Sequence, residues 1–490
     1  MYSDELMMKG TDMAISESEK FELMNEECVE RHMDDLKSLE EKKVLVLGAA
    51  RSGICSAELL LRNGAKVIVF DQNVKIDKEA FFAHFENGVK PALVLGDFTE
   101  ELIDGVDLTV ISPGIFPDLP FVTTIRDAGI PVWGEIELAA HFNKGRIAAI
   151  TGTNGKTTTT TLVGEIFKAY NSKSLIVGNI GIPFTGFADK TFPGQLISAE
   201  ISSYQMQITY TFHPEVSALL NLTPDHLNRH GTFERYADAK MRLTRNADEK
   251  NTFVMNYDDP EVRKRGEAIT HMKTAWFSRL TEVSEGAFLR DGWIIIRHAG
   301  EEISVLPLSE IQILGAHNVE NVLAASLITY LMGVPVEVIR STVAAFKGVE
   351  HRIEYVKTVK GVKYYNDSKG TNPDAAIKAI EAMVTPTVLI GGGYDKHNEY
   401  DEWINAFGDK VKYLVLLGET AQAIEDTALR LGFKNIVRVK DLEEAVSTCY
   451  KLAEPGDSVL LSPACASWDM FKDFEQRGEM FKDYVRALDE

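Results

Sequence analysis

One stretch of this 490-residue chain limits its fold more than any other: residues 145–170, GRIAAITGTNGKTTTTTLVGEIFKAY. A short apolar run reads as a buried strand, a Gly-bounded turn follows, and the rest has the pattern of a helix. Between strand and helix stand Gly152, Thr153, Asn154, Gly155, Lys156, Thr157 and Thr158. A phosphate chain is held by the backbone N–H groups of a glycine-rich turn, a helix N-terminus, an ammonium and a hydroxyl for Mg²⁺; Lys156 and Thr157 supply the last two. The full GxxxxGK[ST] pattern is not met, because Ile150 stands where its first glycine belongs. A chance Gly-Lys-Thr turn is the competing reading, and the strand and helix flanks weigh against it.

The same succession occurs on both sides. Before it, KVLVLG, the turn Gly48-Ala49-Ala50-Arg51-Ser52-Gly53, a helical stretch and the strand KVIVFD form a βαβ unit. After it come LIVGNIG, LISAE and VSALLNLTPDH, then KYYND, TVLIGGG, YLVLLG, IVRV and SVLLSPA, strand-like runs that end on Gly or polar residues. This predicts an α/β fold of three successive domains, with ligands at the carboxyl ends of parallel strands. They are a Rossmann-like domain over 42–145, a central P-loop ATPase-like parallel sheet over 146–346 and a second Rossmann-like domain over 347–490. Residues 1–41 are acidic and contain a helix-compatible stretch around Phe21, Met24, Cys28 and Val29. They read as a loosely ordered extension whose removal leaves activity nearly unchanged.

Fifty-two Lys and Arg against 73 Asp and Glu give a net charge of −21, which argues against nucleic acid or an anionic membrane as partner and requires any phosphate site to be local. No apolar run approaches the roughly 18 residues of a membrane span, and the N-terminus lacks a secretory signal. Cys28, Cys55, Cys449 and Cys465 are scattered, without a CxxC pair. The expectation is a cytoplasmic protein with neither disulfides nor structural zinc.

Several residues stand where chemistry is done. Asp71 follows the first turn by about 20 residues, as in a dinucleotide fingerprint, but Ala50 replaces the middle glycine and its Cβ hinders approach of a pyrophosphate. NAD, a nucleotide diphosphate held differently and a mere tight turn stay open there. Glu200 ends the strand LISAE in the P-loop block, the place of a Mg²⁺ ligand. His226 also follows a strand end, a position where His is more often structural. Lys240, in YADAK, reads on its own as a solvated lysine on a helix. Asp367-Ser368-Lys369 and Gly391-Gly392-Gly393, with Asp395 and Lys396, are further strand-end clusters, which suggests ligands bound between domains.

Taken together, TGTNGKTT, GNIGIP, AEISSYQ, NLTPDHLNRH, YADAK, GAHNVEN and HRIE resemble the Mur ligase family, from about residue 43 to the C-terminus. YNDSKGTNPDA and LLSPACASWDMFKDFEQRG most resemble its D-glutamate-adding members. The resemblance implies an ATP-dependent ligase of peptidoglycan synthesis that joins D-glutamate to UDP-N-acetylmuramoyl-L-alanine through an acyl phosphate. It implies that Lys156 and Thr157 hold ATP phosphates and a first Mg²⁺, with Glu200 as metal ligand, and that His226 ligates a second Mg²⁺. Lys240 resembles the family's carbamylated lysine, whose anionic group supports the metal. Asn321, Arg352 and Asp367 resemble ATP contacts, and Lys369 a group near the transferred phosphate. Thr371, Lys396, Ser467 and Phe474 resemble the D-glutamate pocket. Arg51, Ser52 and Asp71 match the UDP-binding turn, and Asn179 a contact to the muramoyl part; Gln72 and Asn73 depart from the Thr-Arg pair of some members. A monomer is expected.

Two other readings stand beside this one. Another Mur-type or folylpolyglutamate-type ligase shares the P-loop and lysine patterns, and the third domain decides against it. A non-catalytic sensor of UDP-sugar and ATP has no need of the set Glu200, His226 and Lys240.

Overall fold

In the computed structural model, which describes residues 17–85, 89–179 and 181–489, the chain divides into two compact units. Of the described residues, one comprises those up to 153 with 171–253 and 268–273; the other comprises 154–170, 254–267 and those from 274 onward.

The first unit holds two sets of parallel strands. β1 (Lys43–Leu47), β2 (Lys66–Asp71), β3 (Ala92–Leu95), β4 (Leu108–Ile111) and β5 (Val132–Gly134) pair in the order β3-β2-β1-β4-β5. β6 (Arg146–Thr151), β7 (Leu175–Gly178), β8 (Leu196–Glu200) and β9 (Val216–Leu219) run in the order β9-β6-β8-β7. β1, β4 and β8 are buried throughout or nearly so, which is why they read as unbroken apolar runs rather than alternating ones. The helix Arg51–Arg62 leaves β1 through a tight turn; a Cβ on Gly53 would lie 1.8 Å from the Gly48 carbonyl oxygen, so only glycine lets the helix seat on its own turn.

The second unit contains β10 (Thr252–Asn256, its last three residues), β11 (Lys273–Ser278, from Thr274 on), β12 (Gly286–Arg290), β13 (Trp293–His298) and β14 (Glu301–Pro307). It also contains the six-stranded sheet β15 (Glu354–Val359), β16 (Val362–Asn366), β17 (Thr387–Gly391), β18 (Val411–Leu416), β19 (Ile436–Arg438) and β20 (Ser458–Leu461), in the order β15-β16-β20-β17-β18-β19. Here the parallel expectation is incomplete: β12, β13 and β14 are antiparallel neighbours, and β15 is antiparallel to β16. The turns Asp291-Gly292, Ala299-Gly300 and Lys360-Gly361 all have positive φ at both residues, the hairpin geometry that the X-Gly pairs encode.

The acidic extension departs further from expectation. Residues 17–32 form a helix, α1 (Glu17–His32), with Phe21, Asn25, Cys28 and Val29 buried. Asn25 acts as a neighbouring strand to β5, an edge of its sheet: Nδ2 donates to the Val132 carbonyl at 2.8 Å and Oδ1 accepts from the Val132 N–H at 2.9 Å. Nδ2 also donates to the Tyr210 hydroxyl. Glu22 and Glu26 pair with Arg242 and Arg245, so the acidic charge that suggested a solvated segment meets basic partners. Residues 1–16 lie outside the described residues. Among the described residues no helix is long and apolar enough to cross a membrane.

Candidate active site

At the carboxyl ends of β1, β2 and β4 the first unit opens a cavity of about 450 Å³, lined among others by Gly48, Arg51, Ser52, Asp71, Gln72, the 112–115 loop, Asn179 and Gln205. Arg51, Ser52 and Asp71, grouped with one turn in the sequence, therefore line the same cavity as Asn179. Asp71 both lines the cavity and shapes it: its Oδ2 accepts from the Ala49 N–H and its Oδ1 from the Asn73 N–H, each at 2.8 Å. The turn that Asp71 holds leads into the first N–H groups of the helix Arg51–Arg62, where an anion is favoured.

Glu200 ends β8 and is buried. Asn179 Nδ2 donates to its Oε1 at 2.9 Å, while Oε2, equally buried, has no hydrogen-bond partner among the described residues. A buried carboxylate oxygen left open in this way fits a cation. His226 sits in the left-handed region (φ 53°) and stays half-exposed; its Nδ1 lies 2.8 Å from the Tyr204 hydroxyl and its Nε2 3.5 Å from Asp225 Oδ2. Lys240 overturns its stand-alone reading as a solvated lysine. On the helix Phe233–Met241 its side chain is buried, Nζ donates to the Gly152 carbonyl at 2.8 Å, and the ammonium lies 4.6 Å from the centre of the Tyr236 ring. Thr153 Oγ1 accepts from Tyr236 and from the Thr223 N–H, both at 3.0 Å, tying the glycine-rich turn to the segment after β9.

In the second unit the helix Lys156–Tyr170 begins at Lys156. Its Thr157 Oγ1 accepts from Lys369 Nζ at 2.9 Å, and Asn154 Nδ2 donates to Asp374 Oδ2 at 2.5 Å. Thr158 lines a cavity of about 660 Å³ together with Ile313, Leu314, Asn318, Lys347, Arg352, Tyr355, Lys363 and Tyr365. Asn321 Oδ1 accepts from Thr159 and its Nδ2 donates to Asn318, so it ties the helix to the cavity residue Asn318. Asp367 is buried and accepts from Ser462 at 2.7 Å; burial pushes its carboxyl up to about 6, against the pull of nearby Arg352. Lys369 Nζ also lies 5.6 Å from the centre of the Phe474 ring. Lys396 lies over Trp468, Ser467 is buried, and the N–H of Thr371 bonds the Lys369 carbonyl.

Sequence reasoning passed over four residues. Tyr204 and Arg229 lie inside AEISSYQ and NLTPDHLNRH but were assigned nothing, and Asn318 and Tyr355 were not tied to a cavity. Burial lowers Arg229 to about 10, still cationic near neutrality, and lowers neighbouring His230 to about 4, which keeps it neutral there. Glu350, His351 and Glu479 converge as metal ligands do, but Lys482 donates to Glu350 and pairs with Glu479 at 2.8 Å, so a cation already fills that position.

Known proteins place this architecture. Residues 42–134 match the Mur ligase MurD-like N-terminal domain, 150–329 the Mur ligase middle domain, and 351–465 the Mur ligase glutamate ligase domain. The UDP-N-acetylmuramoylalanine--D-glutamate ligase of Lachnoclostridium phytofermentans is 52% identical over 447 residues, 91% of this chain and 98% of that protein. The enzyme of the same name from Caldanaerobacter subterraneus subsp. tengcongensis is 46% identical over 455 residues, 92% and 99% of the two chains. Among solved structures, the UDP-N-acetylmuramate-alanine ligase MurC of Thermotoga maritima has the same fold, with a TM-score of 0.58 at 18% identity over 91% of this chain and 99% of that one. A pseudomurein peptide ligase type C from Methanothermus fervidus has it too, with a TM-score of 0.57 at 18% identity over 91% and 100%. The chain belongs to the Mur ligase family.

Proposed function

We propose that this chain is a cytoplasmic, monomeric, ATP-dependent ligase that joins D-glutamate to UDP-N-acetylmuramoyl-L-alanine in peptidoglycan synthesis, releasing ADP and phosphate. The observation that carries this reading is identity of up to 52% with D-glutamate ligases along nearly their whole length. Residues 42–145 take the sugar nucleotide, 146–346 the ATP and 347–490 the amino acid.

The site chemistry supports the assignment. The cavity beside Arg51 and Ser52 presents helix N–H groups to the diphosphate, and Asp71 keeps its turn in shape. The terminal carboxylate of the substrate attacks the γ-phosphorus of ATP to give an acyl phosphate; the amine of D-glutamate then attacks its carbonyl, and phosphate leaves. Both steps pass through anionic states, which Lys156 and Lys369 neutralise. Thr157, Glu200 and His226 fit Mg²⁺, and Lys240 fits when carbamylated: a carbamate nitrogen keeps one N–H, enough for the Gly152 carbonyl, and offers an anionic oxygen pair. When bound, Mg²⁺ withdraws charge from the phosphate oxygens. Asn318, Arg352 and Tyr355 receive the nucleoside end of ATP. Thr371, Lys396, Ser467 and Phe474 receive D-glutamate.

The test is ATP-dependent phosphate release with UDP-N-acetylmuramoyl-L-alanine and, in turn, D-glutamate, L-glutamate, lysine and diaminopimelate. Turnover with D-glutamate alone is expected. Turnover with lysine or diaminopimelate would make the chain a sister ligase, and binding of both nucleotides without turnover would make it a sensor.

A further inference from the structure

The loop that closes the 450 Å³ cavity has no regular structure, yet it is held from behind. Arg229, buried three residues beyond His226, donates through Nη1 to the Pro113 carbonyl at 2.9 Å and through Nη2 to the Ile115 carbonyl at 3.4 Å. Its Nε donates to Gln207 Oε1 at 3.1 Å, which fixes the plane of the guanidinium. The guanidinium carbon lies over two aromatic rings, 4.0 Å from the centre of Tyr204 and 4.8 Å from that of Phe116. Tyr204 in turn touches His226 through its hydroxyl at 2.8 Å. A single buried cation thus grips the cavity loop on one side and, through one ring, the His226 segment on the other. A planar fork with donors on three nitrogens does this; an ammonium cannot meet all three acceptors.

We infer that Arg229 is a positioning residue for the sugar-nucleotide substrate, holding the 113–115 wall of the cavity in register with His226. This rests on the function proposed above. Arg229 is not part of the cavity lining; it holds Pro113 and Ile115, which are. The nucleotide diphosphate and sugar then meet a preformed wall.

The test compares wild type with Arg229→Lys and Arg229→Met, using melting temperature, calorimetric binding of UDP-N-acetylmuramoyl-L-alanine without ATP or Mg²⁺, and KM for each substrate. Binding of the sugar nucleotide about tenfold weaker in Arg229→Lys is expected, with a matching rise in its KM, while KM for ATP and for D-glutamate stays within twofold. Arg229→Met, which keeps bulk and removes every donor, should weaken binding further than Arg229→Lys. A lower melting temperature with unchanged sugar-nucleotide binding, or equal changes in all three KM values, overturns the inference and leaves Arg229 as core packing. If wild type itself does not bind the sugar nucleotide, it is the proposed function that has failed.

Discussion

The cavity of the first unit includes turns of the chain that side chains hold in place, and that of the second is lined by aromatic and charged side chains of the 347–365 region. In the first, Asp71, itself a lining residue, bonds the N–H groups of Ala49 and Asn73, and Arg229 bonds the carbonyls of Pro113 and Ile115. In the second, Ile313, Leu314, Tyr355 and Tyr365 supply apolar surface, and Lys347, Arg352 and Lys363 a charged rim. A site with such turns in its wall depends on the residues that shape them, so stability and affinity move together. A side-chain-walled site can lose a lining group with little effect on folding.

The deepest functional cut that leaves folding alone belongs to the second unit. Lys156→Ala removes an ammonium at the start of a helix whose turn is set by glycines. The expected loss in kcat is at least ~10³-fold, about 4 kcal/mol of transition-state stabilisation, with the melting temperature unchanged. Turnover retained with normal Mg²⁺ dependence would remove the phosphate-binding role from this turn.

In the first unit the corresponding lysine is built into the core, so its loss should register twice. Lys240→Ala removes a buried side chain and its hydrogen bond to the Gly152 carbonyl, costing about 1–3 kcal/mol in stability, and lowers turnover on the order of 10²-fold. Acetate, compared with chloride at matched ionic strength, should restore part of the turnover by occupying the space of the carbamate. Equal rates in the two salts would discard the carbamate while leaving the burial of Lys240 to explain the stability loss.

Asn25→Ala probes the same contrast away from any ligand. It leaves the buried N–H and carbonyl of Val132 without their partner, and a loss of about 1–3 kcal/mol is expected in denaturant unfolding, with kcat within twofold of wild type. Unchanged stability would restore the reading of α1 as dispensable.

What the sequence made legible follows the same division. Strand ends and glycine turns are local patterns, so Arg51, Ser52, Asp71, Glu200 and the turn at 152–155 could be marked without knowing what faces them. Burial of Lys240 depends on a carbonyl 88 residues away, and the ordering of α1 depends on Arg242, 220 residues from Glu22. No spacing rule encodes either, and local charge pointed the wrong way in both. Tyr204 and Arg229 lay inside recognised stretches, but their roles consist of the carbonyls and rings they meet, which only the fold supplies.

Asp71→Asn tests whether the first cavity depends on its turn. The amide keeps the size of the side chain but has one acceptor oxygen, so either the Ala49 or the Asn73 N–H loses its bond and faces an NH₂ group. Affinity for the sugar nucleotide should fall about tenfold, equivalent to ~1.4 kcal/mol, with a small parallel drop in melting temperature. An affinity loss with no change in the melting curve would mean that Asp71 acts on the ligand directly.

The smallest effect is expected at Tyr355, an exposed part of the side-chain wall. Its ring meets Tyr365 edge-on at 5.9 Å and its hydroxyl bonds Thr358 at 2.8 Å, both within the β15–β16 hairpin, and half of its surface remains open. Tyr355→Ala therefore removes little that holds the fold, and stability should stay within about 0.5 kcal/mol. It does remove an aromatic face from the 660 Å³ cavity, and a ring lost from a stacking wall costs a base about 1 kcal/mol. KM for ATP should rise roughly three- to fivefold, KM for the sugar nucleotide should not move, and Tyr355→Phe, which keeps the ring, should behave as wild type. A Tyr355→Ala enzyme with unaltered KM for ATP would show that this cavity is not where the nucleoside lies, and the contrast between the two walls would then describe two cavities of which only one binds a nucleotide.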